Sequence, residues 1–269
     1  MPQSGRVLLH GVVSLVLAFL VLPTLVVIPA SLNHASFIQI PPTVLSARWY
    51  REFFADPEWL ASLGSSLRVA VLATSLSLVL GTTAALGLER LHGVRRTLVS
   101  GLFLAPMVVP SIVLAVALYY VARPLGLAGT TAGLALGHTL MCLPYVVINV
   151  GVSLRTLDAS LERAAAGLGA SPWPIFRTVT LPCIAPGLAG GAVFAAITSF
   201  DELIVSIFLA GVRTQTLPVK LWETIRVEFT PVVAVAASVI IAISLLGFLF
   251  LRLGSRRIFR ARAKPYAVA

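Results

Sequence analysis

Six stretches of this chain run for twenty residues or more without one charged side chain: 7–47, 69–88, 97–122, 124–154, 178–200 and 229–251, the fifth resuming past an acidic pair through 203–212. A bilayer core of about 30 Å takes about 20 apolar residues of helix to cross, and a charge at the centre of such a helix costs about 2.5–3.5 kcal/mol or more. The predicted fold is therefore an all-α integral membrane protein of six transmembrane helices, with spans at 8–30, 68–88, 98–121, 132–154, 185–210 and 231–251. Charged residues make up 11% of the chain, against roughly 25% in soluble domains. That is too few to cover a globular surface, which excludes a soluble enzyme. No connection between spans is long enough for a separate folded domain, so 1–269 reads as one membrane domain.

Basic residues near span ends are retained in the cytoplasm. With the N-terminus inside, the cytoplasmic side holds thirteen of the twenty: Arg6, Arg90, Arg95, Arg96, Arg155, Arg163, Arg177, Arg252, Arg256, Arg257, Arg260, Arg262 and Lys264. Both termini are expected there. The net charge of +10 is then a topology signal plus a basic tail at anionic headgroups, with the lipid bilayer as partner and no nucleic acid. The apolar run from Val7 to Ile28 exceeds the 7–15 residues of a signal-peptide core, so it is read as a span. Two isolated cysteines, Cys142 and Cys183, show no metal or disulfide spacing, and packing roles with no metal site are expected.

Residues 31–66 carry Phe37, Trp49, Tyr50, Phe53, Phe54 and Trp59, aromatic content suited to a membrane interface and equally to a docking surface. Leu217, Leu221, Ile225 and Phe229 recur every four residues and predict a short amphipathic helix. Within the spans, Pro106, Pro110 and Pro144 remove backbone hydrogen bonds that lipid cannot replace. In span four His138, Met141, Tyr145 and Asn149 share one face, which either lines a pathway or bonds a neighbouring helix.

Asp201 and Glu202 sit inside an apolar stretch that continues through Leu209. Intramembrane acids face a cavity or a partner cation and are functional candidates by default. They are read as a cation pathway or gate, with a structural ion pair to an arginine as the other reading. The longest cytoplasmic connection, 155–183, begins with Asp158 as a plausible helix N-cap, continues through an alanine run, and meets Gly167 and Gly169 as stop signals. It predicts a short surface helix that another protein can approach closely.

In this segment the chain resembles the permease subunits of type I binding-protein-dependent ABC importers. Their cytoplasmic signature is Glu-Ala-Ala, three residues, Gly, nine residues, Ile, one residue, Leu-Pro, and Ala164, Ala165, Gly169, Val179, Leu181 and Pro182 match it in register. Arg163 stands at the glutamate position and Glu162 one residue earlier, about 100° around a helix. The run Trp49 to Arg51, Asp56 to Trp59, Phe176 to Pro186, Ser199 to Glu202, and Thr216 to Trp222 are similar to the spermidine/putrescine branch; relatives handling opines, amino-acid-like cations, phosphonates or iron are similar in the same stretches.

The resemblance implies a transporter subunit and not an enzyme, placed in a bacterial inner membrane. Two cytoplasmic ATPase subunits carrying ATP and Mg would dock at Glu162, Arg163, Ala164, Ala165, Gly169, Leu181 and Pro182. A second permease, usually a different chain, and an extracytoplasmic binding protein complete the assembly. The substrate, a polyamine, would pass Asp201, Glu202, Tyr145 and Asn149. The residues agree on one point: the only lysines are Lys220 and Lys264, neither in a Gly-x-x-x-x-Gly-Lys-Ser/Thr loop, so no cofactor is expected on this chain and ATP-driven work falls to a partner. The rival class is a self-contained secondary transporter or channel using the acids as a relay, for which six spans are few and no inverted repeat is visible; a third is an assembly scaffold.

Overall fold

The computed structural model describes residues 3–228 and 230–262, with side chains over 9–228 and 230–249. Phe229, Lys264 and the side chains of Arg252, Arg256, Arg257, Arg260 and Arg262 lie outside the described residues. The elements are α1 (Gln3–Ser31), α2 (Arg48–Ala55), α3 (Pro57–Glu89), α4 (Gly93–Val108), α5 (Ser111–Ala122), α6 (Thr131–Arg155), α7 (Ala159–Gly167), α8 (Pro172–Ile175), a π-helical turn (Phe176–Thr180), α9 (Leu181–Phe200), α10 (Ile204–Leu209), α11 (Leu217–Val227) and α12 (Pro231–Arg262). Among the described residues no β-strand occurs, and one antiparallel bridge pairs Asn33 with Leu45.

Five helical stretches are long and apolar enough to span a membrane: Leu9–Ser31, Pro57–Glu89, Thr131–Arg155, Pro172–Phe200 and Pro231–Leu249. The expected third span, 98–121, is not one rod. It is the pair α4 and α5, bent by 104° at Val109 and Pro110. A residue before proline is pushed out of the α region: Val109 is extended, and both it and Pro110 have ψ of 130°. The expected fifth span, 185–210, also differs. Its helix reaches back to Pro172 and stops at Phe200, and α10 is a separate short helix.

The chain divides into two compact units. One comprises 1–61 and 220–243. Here the outer-loop aromatics divide into two groups. Trp49, Phe53 and Trp59 are buried, with the Phe53 and Trp59 rings 5.3 Å apart, while Phe37 and Phe54 stay exposed. Trp49 Nε1 donates to the Ala35 carbonyl at 3.1 Å, and Lys220 pairs with Glu58 beside the Trp59 ring. A buried aromatic cluster tying down its own loop is what forms, in place of a uniform interfacial belt. The apolar body of α1 is exposed along its length.

The other unit comprises, among the described residues, 62–219 and 244–262. Its core has one cluster of Val69, Ala115, Leu134, Val205 and Leu209 and another of Ala85, Cys142, Val146, Val150, Ile184 and Ala195. Close packing of α6 on α9 organises it. A Cβ on Gly187 would lie 2.5 Å from the Asn149 carbonyl oxygen and from Ser153 Oγ, and one on Gly191 would lie 3.1 Å from the Val146 Cα. Glycines four apart let two backbones touch, the small-residue packing of membrane helices, where burial against lipid gives little drive. Pro144 is buried inside α6 without ending it. The predicted amphipathic helix is α11, with Leu217 fully buried, Leu221 half-buried and Ile225 exposed.

Candidate functional site

Two places in the second unit carry the predicted site residues. The first is the segment around α7. Asp158 caps the helix, its carboxylate accepting the Ser160 N–H at 2.8 Å. That backbone donor, with a smaller contribution from Arg163, holds the Asp158 carboxyl below the usual carboxylate range. The far end closes in a Schellman motif: Gly169 N donates to the Ala166 carbonyl, Ala170 N to the Ala165 carbonyl, and Gly169 has φ of +85°.

On the nine-residue helix between these caps, one step of sequence separates two faces. Glu162 is half-buried and its Oε1 accepts the Thr180 hydroxyl at 2.5 Å. Arg163 and Ala164 point to solvent, with Leu161 and the almost fully exposed Leu168. Ala165 is half-buried. Trp173 adds an exposed ring, stacked on Phe176 at 5.7 Å. The acid at 162 thus faces the protein body, and the side chain at the register position of the family glutamate is an exposed guanidinium.

Leu181 and Pro182 have a structural consequence. Proline lacks an N–H and crowds the carbonyl four residues back, and the turn just before it opens to π geometry over Phe176–Thr180, Leu181 N donating to the Phe176 carbonyl. Single π turns cluster at functional sites. Glu162, Thr180 and Phe176 border an open cleft of about 770 Å³.

The second place is the break between α9 and α10. Glu202 is half-buried and its Oε1 accepts the Val205 N–H at 3.0 Å, capping α10, while its carbonyl accepts the Ser206 hydroxyl at 2.8 Å. Asp201 is exposed at the end of α9. Among the described residues neither carboxylate joins an ion pair, and no group of three His, Cys, Asp or Glu could hold a metal. The break is bridged by His138 of α6, buried, with Nδ1 2.9 Å from Ser199 Oγ and Nε2 2.9 Å from Ser206 Oγ. Four residues on, the Cys142 thiol donates to the Ala195 carbonyl at 3.2 Å, a packing role as expected; Cys183 is half-buried and free.

The polar face of span four therefore lies against α9 and α10. Tyr145 stacks on Phe194, ring centres 6.0 Å apart, and Asn149 Nδ2 donates to the Tyr145 carbonyl at 2.8 Å. The Asn149 Oδ1 sits where a Cβ on Gly190 would be 2.8 Å away. Thr180, Ser199 and Ser206 were missed as site residues. The two serines flanking the acid pair inside an apolar run were the available signal, since membrane hydroxyls seek partners across helices.

Residues 77–260 match the family model described as binding-protein-dependent transport system inner membrane component. The spermidine/putrescine transport system permease protein PotC of Escherichia coli (strain K12) is 30% identical over 241 residues, covering 90% of this chain and 91% of that one. The molybdenum transport system permease protein ModB of Mycobacterium bovis is 32% identical over 241 residues, covering 82% and 90%. Among solved structures, a chain from a bacterial ABC transporter involved in import of the acidic polysaccharide alginate superposes with a TM-score of 0.70 at 18% identity, over 96% of this chain and 98% of that one.

Proposed function

The chain belongs to the family of binding-protein-dependent transport system inner membrane components, the permease subunits of ABC importers, and from that premise we propose that it passes a small cationic amine of the putrescine and spermidine class. The observation that carries this reading is Asp201: an exposed carboxylate at a break in a membrane helix, with no cation paired to it among the described residues. An amine is attracted there and an oxyanion such as molybdate repelled. The similarity to PotC over nine-tenths of the chain supports the same substrate class.

In this reading both termini are cytoplasmic. A pair of ATPase subunits, holding ATP and Mg²⁺, docks on the exposed face of α7 formed by Leu161, Arg163, Ala164 and Leu168. A second permease chain completes the pathway, and an extracytoplasmic binding protein delivers the amine. Closure of the ATPases displaces α7 as a lever. The Glu162 to Thr180 hydrogen bond passes that displacement to the π turn and α9, and close packing through Gly187 and Gly191 makes α6 follow. Asp201, at the end of α9, then meets alternate sides of the membrane.

The test is uptake of labelled putrescine and spermidine into vesicles containing the complete transporter. Asp201→Asn should abolish most uptake while assembly and basal ATPase activity persist. Unchanged uptake in that variant would remove Asp201 from the pathway, and uptake of molybdate with no uptake of amines would overturn the substrate class.

A further inference from the structure

Two cavities meet at the ends of α3 and α6. One is the cleft beneath α7; the other, of about 180 Å³, lies between α3, α4 and α6 against Leu88, Leu104, Val147 and Val152. Glu89 and Arg155 border both, Arg96 the smaller and Arg90 the larger. Glu89 Oε1 accepts from Arg96 Nη2 at 2.7 Å, with Arg155 Nε 4.0 Å away. Glu89 thus faces two guanidiniums, Arg90 and Glu162 on the larger cleft offset each other, and the excess is one positive charge, with the Arg155 side chain 71% exposed.

Position gives that excess its meaning. Glu89 ends α3, Arg155 ends α6, and Arg96 stands in the first turn of α4. The charges therefore mark the level where membrane spans meet headgroups, and the apolar groove runs from them toward the hydrocarbon. Gly151 borders the groove, and a Cβ there would meet nothing within 4 Å.

We propose that this groove binds one anionic phospholipid, with a length of acyl chain against Leu104, Val147 and Val152 and the headgroup phosphate accepting hydrogen bonds from Arg155. Basic pockets between membrane helices recognise anionic headgroups in this way, and the missing side chain at Gly151 leaves the chain its room.

The test is native mass spectrometry of the assembled transporter released from nanodiscs of equal phosphatidylglycerol and phosphatidylcholine. Wild type should retain phosphatidylglycerol in preference. Arg155→Gln should retain about fivefold less, the factor corresponding to about 1 kcal/mol for one basic residue at an anionic surface. Gly151→Leu, which fills the groove without meeting neighbouring atoms at its Cβ, should lose lipid of either headgroup; if it fails to assemble, Arg155→Gln decides alone. Equal retention of the two lipids by wild type, unchanged phosphatidylglycerol on either variant, or a partner-chain segment seated in the groove of the assembled transporter would overturn the site.

Discussion

Between α6 and α10 the chain leaves helical geometry on either side of α7 and again at 201–203, and the two places differ in where their partners come from. Around α7 every cap is local: Asp158 bonds two residues ahead and the Schellman bonds reach three and five residues back. At 201–203 local bonds from Asp201 N to Ile197, from Ile207 N to Leu203 and from Val205 N to Glu202 are joined by a distant brace, His138, 61 residues before Ser199 and 68 before Ser206. A helix at a watery surface can end on its own residues because water takes any remaining polar group. A break among membrane helices cannot, and borrows a side chain from a neighbour. The first arrangement ends α7 on its own residues and ties it to the body through Glu162 and Thr180; the second fixes the end of α9 to α6.

The comparison breaks most severely if the packing common to both places is removed. Gly187→Leu sets a side chain against the Asn149 carbonyl, and the expected loss is more than about 3 kcal/mol, read as failure to assemble or a large fall in thermal stability. His138→Leu unties the membrane break alone. With interhelical hydrogen bonds averaging about 0.6 and reaching about 1.7 kcal/mol in membranes, removing two should cost about 1–3 kcal/mol in unfolding measurements and lower uptake, while ATPase docking in pull-down is unchanged.

Asp201→Asn sharpens the contrast between the paired acids. Amine uptake should fall about tenfold, a difference of about 1.4 kcal/mol, with thermal stability unchanged. Glu202→Gln should do less in uptake, since its amide oxygen still accepts the Val205 N–H. Thr180→Val cuts the link from α7 to α9, and losing a partly exposed hydrogen bond to a carboxylate should cost about 1 kcal/mol; the expected readout is ATP hydrolysed per amine imported, which rises. The smallest effect is at the cap. Because the folded Asp158 carboxyl lies below its usual value, its stabilisation of α7 is present above the unfolded pKa and fades as pH falls through the folded one. Between pH 6 and 8 α7 should show no pH-dependent fraying in hydrogen exchange, and Asp158→Asn should behave as wild type at neutral pH while Asp158→Ala exchanges faster.

Much of the surface segment was legible because its determinants are neighbours: the N-cap at 158, the alanines and the stop at Gly169 all lie within a dozen residues of each other. The membrane spans were legible from hydropathy, with two errors of shape. Pro110 was visible as a helix interruption, but a 104° bend depends on what α4 and α5 pack against. The fifth span, expected at 185–210, starts earlier and ends at Phe200, because the helix continues through 176–180 by widening to π geometry and breaks at the acidic pair. The acidic pair stood out in the sequence, yet the different settings of its two members were not readable, since adjacent residues differ only in direction and direction is set by where α9 ends.

What the sequence by itself determined is the class of solvent, the number of spans, the surface helix and its family signature, all consequences of hydropathy and short-range bonding. Only the tertiary structure decided that Glu162 turns inward to Thr180 while Arg163 faces out, and that His138 bridges Ser199 and Ser206. It also decided that Glu202 caps a helix and leaves Asp201 uncommitted. Those outcomes depend on which residues, tens of positions apart, are brought within 3 Å when glycine-faced helices close on one another, and no local pattern encodes that distance.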